Sequence, residues 1–117
     1  MIAVIFEVMP AEGRKQEYLE LAAELRPELE KMDGFISIER FQSLTNPDKL
    51  LSLSFWRDDE AVARWRNHPG HRRMQGKGRA GVFSGYRLRV AGILRDYEMA
   101  DRRDQTPEDS RALFDRT

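Results

Sequence analysis

Residues that could do chemistry recur at helical spacing after Pro69. His71, Met74, Gln75 and Gly78 stand at i, i+3, i+4 and i+7, so a helix beginning at Pro69 would place them on one face. That face mixes an imidazole and a carboxamide with apolar groups. An unperturbed imidazole titrates at about pH 6.5, which makes His71 a candidate general base. The alternative is a histidine that only fills a hydrogen-bonded site in the core.

An aromatic residue and several basic residues flank this face. Trp65 precedes His71 by six residues and could stack on a flat substrate, or it could belong to the core. Arg79 could hold an anion or an enolate. Most of its basic neighbours are equally typical of a solvated helix face, and they are Arg64, Arg66, Arg72, Arg73 and Lys77.

These residues need a strand and a bent helical segment to position them. Alternation in Leu51, Leu53 and Phe55 indicates a strand, and Asp58 offers a helix N-cap directly after it. Asn67-His68-Pro69-Gly70 should interrupt the helix, because proline lacks the N–H that continues the ladder and is well suited to begin a new helix. We therefore expect two short helices in a bent arm.

The rest of the chain supplies a sheet and one more helix. Strands are predicted at 2–9, 35–42, from Lys49 to Trp56, and from about Tyr86 to Tyr97. An amphipathic helix follows Pro10, with an apolar stripe at helical spacing, namely Tyr18, Leu21, Ala22, Leu25, Leu29 and Met32. The order β-α-β-β-α-β predicts an α+β, ferredoxin-like antiparallel sheet with the helices on one face.

Side-chain alternation assigns the strand residues to the two faces of this sheet. We expect Leu51, Leu53 and Phe55 beneath the helices together with the even-numbered residues of the first strand. The opposite face then combines Trp56, Ser52 and Ser54 with further aromatic, aliphatic and charged residues. Such a face is too aromatic for open solvent and too charged for a monomer's core, so a second subunit is expected to cover it.

Composition excludes several classes of function. The 117 residues contain 40% hydrophobic residues, 20 basic and 20 acidic residues, and no cysteine. The balanced charge gives no general attraction to nucleic acid or to an anionic membrane. No apolar run is long enough to span a bilayer and no signal peptide is recognisable, so a cytoplasmic location is expected. We expect no metal site, because the two histidines have no third ligand at suitable spacing.

The last twenty residues read as a separate arm. We divide the chain into a domain over 1–97 and an arm or tail over 98–117. Thr106 and Pro107 are a typical helix start, with threonine as the cap and proline at the first helical position. Apolar residues at 112–114 then favour a short docked helix, and a frayed terminus is the alternative.

Roughly residues 1–97 resemble the antibiotic biosynthesis monooxygenase (ABM) family of dimeric α+β barrel proteins, and the marks of that family lie between Gly34 and Arg79. The resemblance rests on Gly34-Phe35 at the start of the second strand, Trp56 at the end of the third, the acidic helix cap, and Trp65 followed by His71. It implies a homodimer formed through the sheet face. It also implies oxygenation of small aromatic molecules with O2 and without a metal, flavin or haem.

The resemblance also bears on single residues. In members that oxidise polyketides, the helix tryptophan corresponds to Trp65, a tyrosine corresponds to His71, and an asparagine corresponds to Ala61. Haem-degrading relatives carry their proximal histidine where this chain has Gln75, which disfavours haem degradation.

Together these features predict a cofactor-independent, ABM-type monooxygenase that acts on a small quinol or polyketide-like substrate. His71 and Trp65 are the expected catalytic residues. The expected substrate-binding residues are Met74, Gln75, Arg79 and Phe55. The competing hypothesis is a small-molecule-binding or stress-response protein of the same fold without turnover, because a fold alone does not determine function.

Overall fold

A computed structural model describes residues 1–100, and the predicted tail helix after Thr106 lies outside them. The elements follow one another as β1 (Ile2–Pro10), α1 (Lys15–Glu30), β2 (Phe35–Gln42), β3 (Leu50–Trp56), α2 (Asp59–Arg66), α3 (Pro69–Lys77), a five-residue π-turn (Gly78–Val82) and β4 (Phe83–Gly92). The last strand begins and ends earlier than the sequence predicted. Within residues 1–100, no helix is long and apolar enough to cross a membrane.

The four strands form one antiparallel sheet in the order β2-β3-β1-β4. This order confirms the predicted α+β, ferredoxin-like arrangement, in which each β-α-β unit places its helix over the sheet. β1 lies between β3 and β4, as its apolar residues on both sides predicted. All three helices contribute residues to the cavity over one face of the sheet, so that face is the covered one.

The pairing register corrects the predicted faces of β3. Val4 on the covered face lies opposite Ser54, and Ile5 on the open face lies opposite Leu53. Opposed residues of paired strands point to the same side, so Ser52, Ser54 and Trp56 face the helices and Leu51, Leu53 and Phe55 face away. Alternation alone could not decide between the two, since a shift of one residue exchanges them.

Burial of Trp56 explains this register. The indole is 1% exposed, and its Nε1 donates to Ser54 Oγ at 3.0 Å. Phe35 packs edge-on against it at 5.3 Å between ring centroids. The neighbouring Ile36 is 49% exposed, because the β2–β3 register is irregular between Phe35 and Ser37.

The bent arm forms at the residues that predicted it. Asp58 accepts a hydrogen bond from the backbone N–H of Ala61 at 2.8 Å and caps α2. His68 Nδ1 accepts from the backbone N–H of Gly70 at 3.0 Å and caps α3, whose first residue is Pro69. A side chain on Gly70 would meet Leu25 and Glu28 at 2.6 Å, so glycine lets α3 approach α1 closely.

Two separate hydrophobic clusters support the helices. The first contains Val8, Tyr18, Leu50 and Val82. The second contains Leu29, Trp56, Ala61 and Val62. Members of both clusters line a cavity, which is the candidate functional site.

Candidate functional site

The cavity has a volume of about 420 Å³ and lies between the covered face of the sheet and the helices. Its size is typical of a small-molecule site. Its floor crosses all four strands, with residues Val4, Phe6, Ile38, Arg40, Ser52, Ser54, Leu88 and Val90. Tyr86, Leu88 and Val90 of β4 are between 48% and 66% exposed, so the cavity opens to solvent at this strand.

Helix α3 supplies the polar wall that its spacing predicted. His71, Met74 and Gln75 all line the cavity. The His71 ring lies 5.3 Å from the Trp65 ring, measured between centroids, and Trp65 also lines the cavity. Trp65 also stacks on the ring of His68, with 5.1 Å between the two centroids. The structure therefore brings the predicted catalytic pair together.

Two buried polar side-chain atoms on this wall have no hydrogen-bond partner among residues 1–100. They are Nδ1 of His71 and Oε1 of Gln75, one helical turn apart. A buried polar group without a partner costs about 1–3 kcal/mol, so native proteins rarely keep one without a reason. Both atoms are therefore available for hydrogen bonds to a ligand in the cavity.

The electrostatic setting of His71 favours its neutral form. Burial lowers the pKa of the imidazole below its ordinary value, and the nearby charges of Arg72 and Arg66 lower it further. The backbone carbonyl of Arg66 acts in the opposite direction, because it favours a protonated ring.

The floor of the cavity carries, on edge strand β2, a cation that the sequence analysis missed. Arg40 of β2 lines the cavity, and its Nε donates to the Tyr18 hydroxyl at 3.5 Å. Its guanidinium carbon lies 5.9 Å from the centroid of the Tyr18 ring. The sequence did contain a sign of this placement. Side chains alternate along a strand, so Arg40 lies on the same face of β2 as Ile38.

Two other predicted positions have different surroundings. Arg79 lines the cavity from the π-turn and is exposed. Phe55 does not line it, because the register of β3 turns this ring to the open face. Phe55 instead borders a second hollow of about 580 Å³ at the β2 edge. That hollow contains no histidine, so we assign the candidate site to the first cavity.

The position where the resemblance implied an asparagine is closed to a ligand. Ala61 is fully buried, and a side chain on Gly34 would lie 2.5 Å from its Cβ. The residue therefore packs against the turn after α1 and is not part of the cavity lining. Any chemistry in this cavity has to be done without a group at that position.

Comparison with known proteins gives matches in both sequence and structure. The family model for antibiotic biosynthesis monooxygenases matches residues 1–77. A protein named jasmonate monooxygenase ABM, from Pyricularia oryzae strain 70-15, is 48% identical over 93 residues, which cover 80% of this chain and 43% of that protein. The chain thus spans less than half the length of this relative.

A more distant relative and a solved structure extend the comparison. An uncharacterized protein from Bacillus subtilis strain 168 is 28% identical over 80% of this chain and 79% of its own length. A Deinococcus radiodurans structure, described as a candidate antibiotic biosynthesis monooxygenase, has a TM-score of 0.75 at 11% identity and covers 85% of this chain and 98% of its own. At that identity the match supports the fold alone.

Proposed function

The chain belongs to the antibiotic biosynthesis monooxygenase family, and we propose that it oxygenates a small aromatic substrate of the quinol or polyketide type with O2. The observation that carries this proposal is the unpartnered Nδ1 of His71 in a largely apolar cavity beside Trp65. The cavity combines a base, a flat aromatic wall and the amide oxygen of Gln75, which can accept a hydrogen bond. This combination suits a substrate that carries an acidic O–H or C–H group.

His71 would act as the base that starts the reaction. Because its pKa is lowered, the imidazole is neutral at pH 7, and a neutral ring can accept a proton from the substrate at Nδ1. Removal of a proton from a phenol or an activated methylene leaves a delocalised anion. The ring of Trp65 supplies apolar surface for that anion, and Gln75 can hydrogen-bond to a neighbouring hydroxyl.

The oxygenation itself balances without a further reductant. For a substrate with an activated methylene, the carbanion and O2 form a C–O bond and a peroxide anion, which takes up a proton. Loss of water then leaves a carbonyl group. One oxygen atom stays in the product and the other leaves in water, and O2 accepts the four electrons that the methylene carbon loses.

The Pyricularia relative supports a second candidate substrate. Its name assigns it to jasmonate, which is a small apolar acid with a ketone on a five-membered ring. The carbons beside a ketone are weakly acidic, so the same base could act on such a molecule. The identity of 48% favours testing jasmonate beside the aromatic compounds.

Oxygen consumption tests the proposal. A panel of quinols, anthrone and jasmonate is incubated with the protein in an oxygen electrode, with and without EDTA. His71→Asn should slow uptake at least about 100-fold, because a positioned base contributes about 10²–10⁴-fold. Arg73→Gln is the matched control, since Arg73 is exposed on the same helix.

Each outcome has a defined meaning. Uptake that survives His71→Asn would remove the base from the mechanism, and uptake that stops with EDTA would contradict a metal-independent reaction. Compounds that bind without any oxygen uptake would favour the non-catalytic binding protein of the same fold.

We also propose that a second copy of the chain covers the open sheet face. The corrected register places Ile5, Leu51, Leu53 and Phe55 there, which makes the face more apolar than the sequence suggested. Contiguous apolar surface of this kind is typical of interaction sites.

Light scattering tests the dimer. The expected mass is twice 13.7 kDa, and Leu53→Lys should shift the protein toward the monomer while Ser37→Lys, on the same face, should shift it less. A wild-type mass of 13.7 kDa at micromolar concentration would contradict the proposal.

A further inference from the structure

We propose that Arg40 makes the cavity selective for apolar acids, with the substrate carboxylate on the Arg40 guanidinium and the reacting end against His71 and Trp65. This inference rests on the proposed function, because it names the substrate class of the same site. It adds a specificity-determining residue on β2, an edge strand of the sheet that forms the cavity floor.

Register places Arg40 on the floor of the cavity. Arg40 lies opposite Ser52 on β3, and Ser52 lies opposite Phe6 on β1. All three side chains therefore point to the covered face. Arg40 is half-buried there, among the apolar side chains that line the same cavity.

Tyr18 holds the guanidinium in place. The tyrosine is 2% exposed, accepts the bond from Arg40 Nε at 3.5 Å, and has its ring 5.9 Å from the guanidinium carbon. This contact uses the inner edge of the guanidinium. The two terminal nitrogens make no hydrogen bond with residues 1–100 and are free to bind a carboxylate with two parallel bonds.

No carboxylate among residues 1–100 pairs with this cation. The salt bridges of this part of the chain do not include Arg40. The adjacent Glu39 points to the open face, and Glu17 of α1 binds Arg14 at 2.8 Å. The Arg40 guanidinium is therefore available to an anionic ligand, and apolar surface beside it would strengthen such a pair.

The shape of the cavity indicates an elongated molecule. Its floor runs from Arg40 on β2 to Leu88 and Val90 on β4, across all four strands. With neighbouring strands about 4.8 Å apart, three intervals give roughly 14 Å. Arg66 and Arg79 also line the cavity, from the helical arm and the turn after it, and Arg40 is the cation on the strand floor. A single guanidinium on that floor suits a monoanionic carboxylate better than a phosphate dianion, which would draw on more than one cation.

Binding, measured without turnover, tests the inference. Wild-type protein is titrated under anaerobic conditions with jasmonic acid, decanoic acid, their methyl esters and phenyl phosphate. Each acid should bind about 10- to 100-fold more tightly than its ester, as expected for a charge-assisted hydrogen-bonded pair. Arg40→Gln should remove this preference by weakening the acids and leaving the esters unchanged.

The controls separate a local effect from a general one. Arg40→Lys should keep part of the preference, because it retains the charge without the planar pair of donors. Arg26 is an exposed arginine of α1 that pairs with Glu30, so Arg26→Gln should keep the full preference for acids. Equal binding of acid and ester, no acid binding at millimolar concentration, or tighter binding of phenyl phosphate would each overturn the inference.

The two proposals fail separately. His71→Asn should still prefer the acids, since the carboxylate end does not involve the base. A persistent acid preference without oxygen uptake would reject the proposed reaction and keep Arg40 as the anchor. Oxygen uptake on quinols without any preference for acids would support the proposed reaction and reject Arg40 as the anchor.

Discussion

Helices α1 and α3 form two walls of the same cavity but present different groups to it. The α1 residues that line it are at most 5% exposed and, apart from the Tyr18 hydroxyl, apolar, namely Tyr18, Ala22, Leu25 and Leu29. The α3 residues that line it are half-buried, and they include His71 and Gln75, each with a buried polar atom that has no partner among residues 1–100.

This difference separates support from chemistry. The α1 wall follows a single helical period of apolar residues, which is the pattern that stabilises a fold. The α3 wall breaks that pattern at His71 and Gln75 and loses stability by doing so. Natural proteins accept such losses at functional sites, where activity needs polar groups that the fold does not.

The largest expected effect is on the α1 wall. Leu29 belongs to the cluster around Trp56, and Leu29→Ala should lower the free energy of unfolding by about 2–4 kcal/mol. The lower part of the usual range applies because the lost volume joins an open cavity. Met74→Ala on α3 should lose only about 1 kcal/mol, since Met74 is half-buried.

Urea denaturation measures both variants. If Met74→Ala lost as much stability as Leu29→Ala, α3 would be as much a part of the supporting core as α1, and the contrast between the two walls would fail.

The second effect is the pH dependence that His71 introduces. Burial lowers its pKa below 6.5 in the folded protein, so between the folded pKa and 6.5 the unfolded chain binds a proton that the folded chain does not. Stability should therefore fall as the pH drops below about 6.5, by at most about 1.4 kcal/mol per pH unit. Above that pH, His71 is neutral in both states and adds no slope.

His71→Asn should flatten this part of the stability curve, and Arg73→Gln should leave it unchanged. Losses that begin only at lower pH have another origin. Hydrogen bonds from arginine side chains lower the pKa of Glu17 and Asp33, and the backbone N–H of Ala61 lowers the pKa of Asp58. A His71→Asn curve that still falls below pH 6.5 with the wild-type slope would show that His71 is not the source.

The third effect is a gain of stability on the α3 wall. Gln75→Met removes the unpartnered Oε1 and keeps the length of the side chain, so the ligand-free protein should gain about 1 kcal/mol. The same change should weaken binding of hydroxylated aromatic compounds. A loss of stability would show that Gln75 has a structural partner and is not reserved for a ligand.

The sequence predicted the arm better than the sheet faces. Asp58 and Pro69 carry local signals for helix starts, and the helices begin directly after Asp58 and at Pro69. Their capping bonds join residues close in the chain, so these signals depend little on the rest of the fold. The shared face of His71, Met74 and Gln75 followed from those boundaries alone.

The faces of β3 depend on pairing across the sheet, and here the prediction was wrong. Both faces of β3 carry apolar residues, so alternation offered two equal registers. The partner of the Trp56 indole, Ser54, identifies the correct one but becomes visible only in the structure. The role of Arg40 was missed for the same reason, since its neighbour Tyr18 is 22 residues away in the chain.

The smallest expected effect compares two glycines at the end of the arm. A methyl group on Gly76 meets nothing within 4 Å, whereas one on Gly78 would lie 2.6 Å from the Phe83 ring. Gly76→Ala should therefore stabilise the protein by about 0.5–1 kcal/mol, because alanine favours a helix interior over glycine. Gly78→Ala should destabilise it, since the Phe83 ring that lines the cavity would have to move.

Thermal unfolding of the two variants separates the cases, and the ligand-binding assays extend the test. If α3 acts as a fixed wall, Gly76→Ala will leave binding unchanged. If it weakens binding while raising the melting temperature, the arm has to flex to admit its ligand, and the contrast with the rigid α1 wall becomes one of motion as well as polarity.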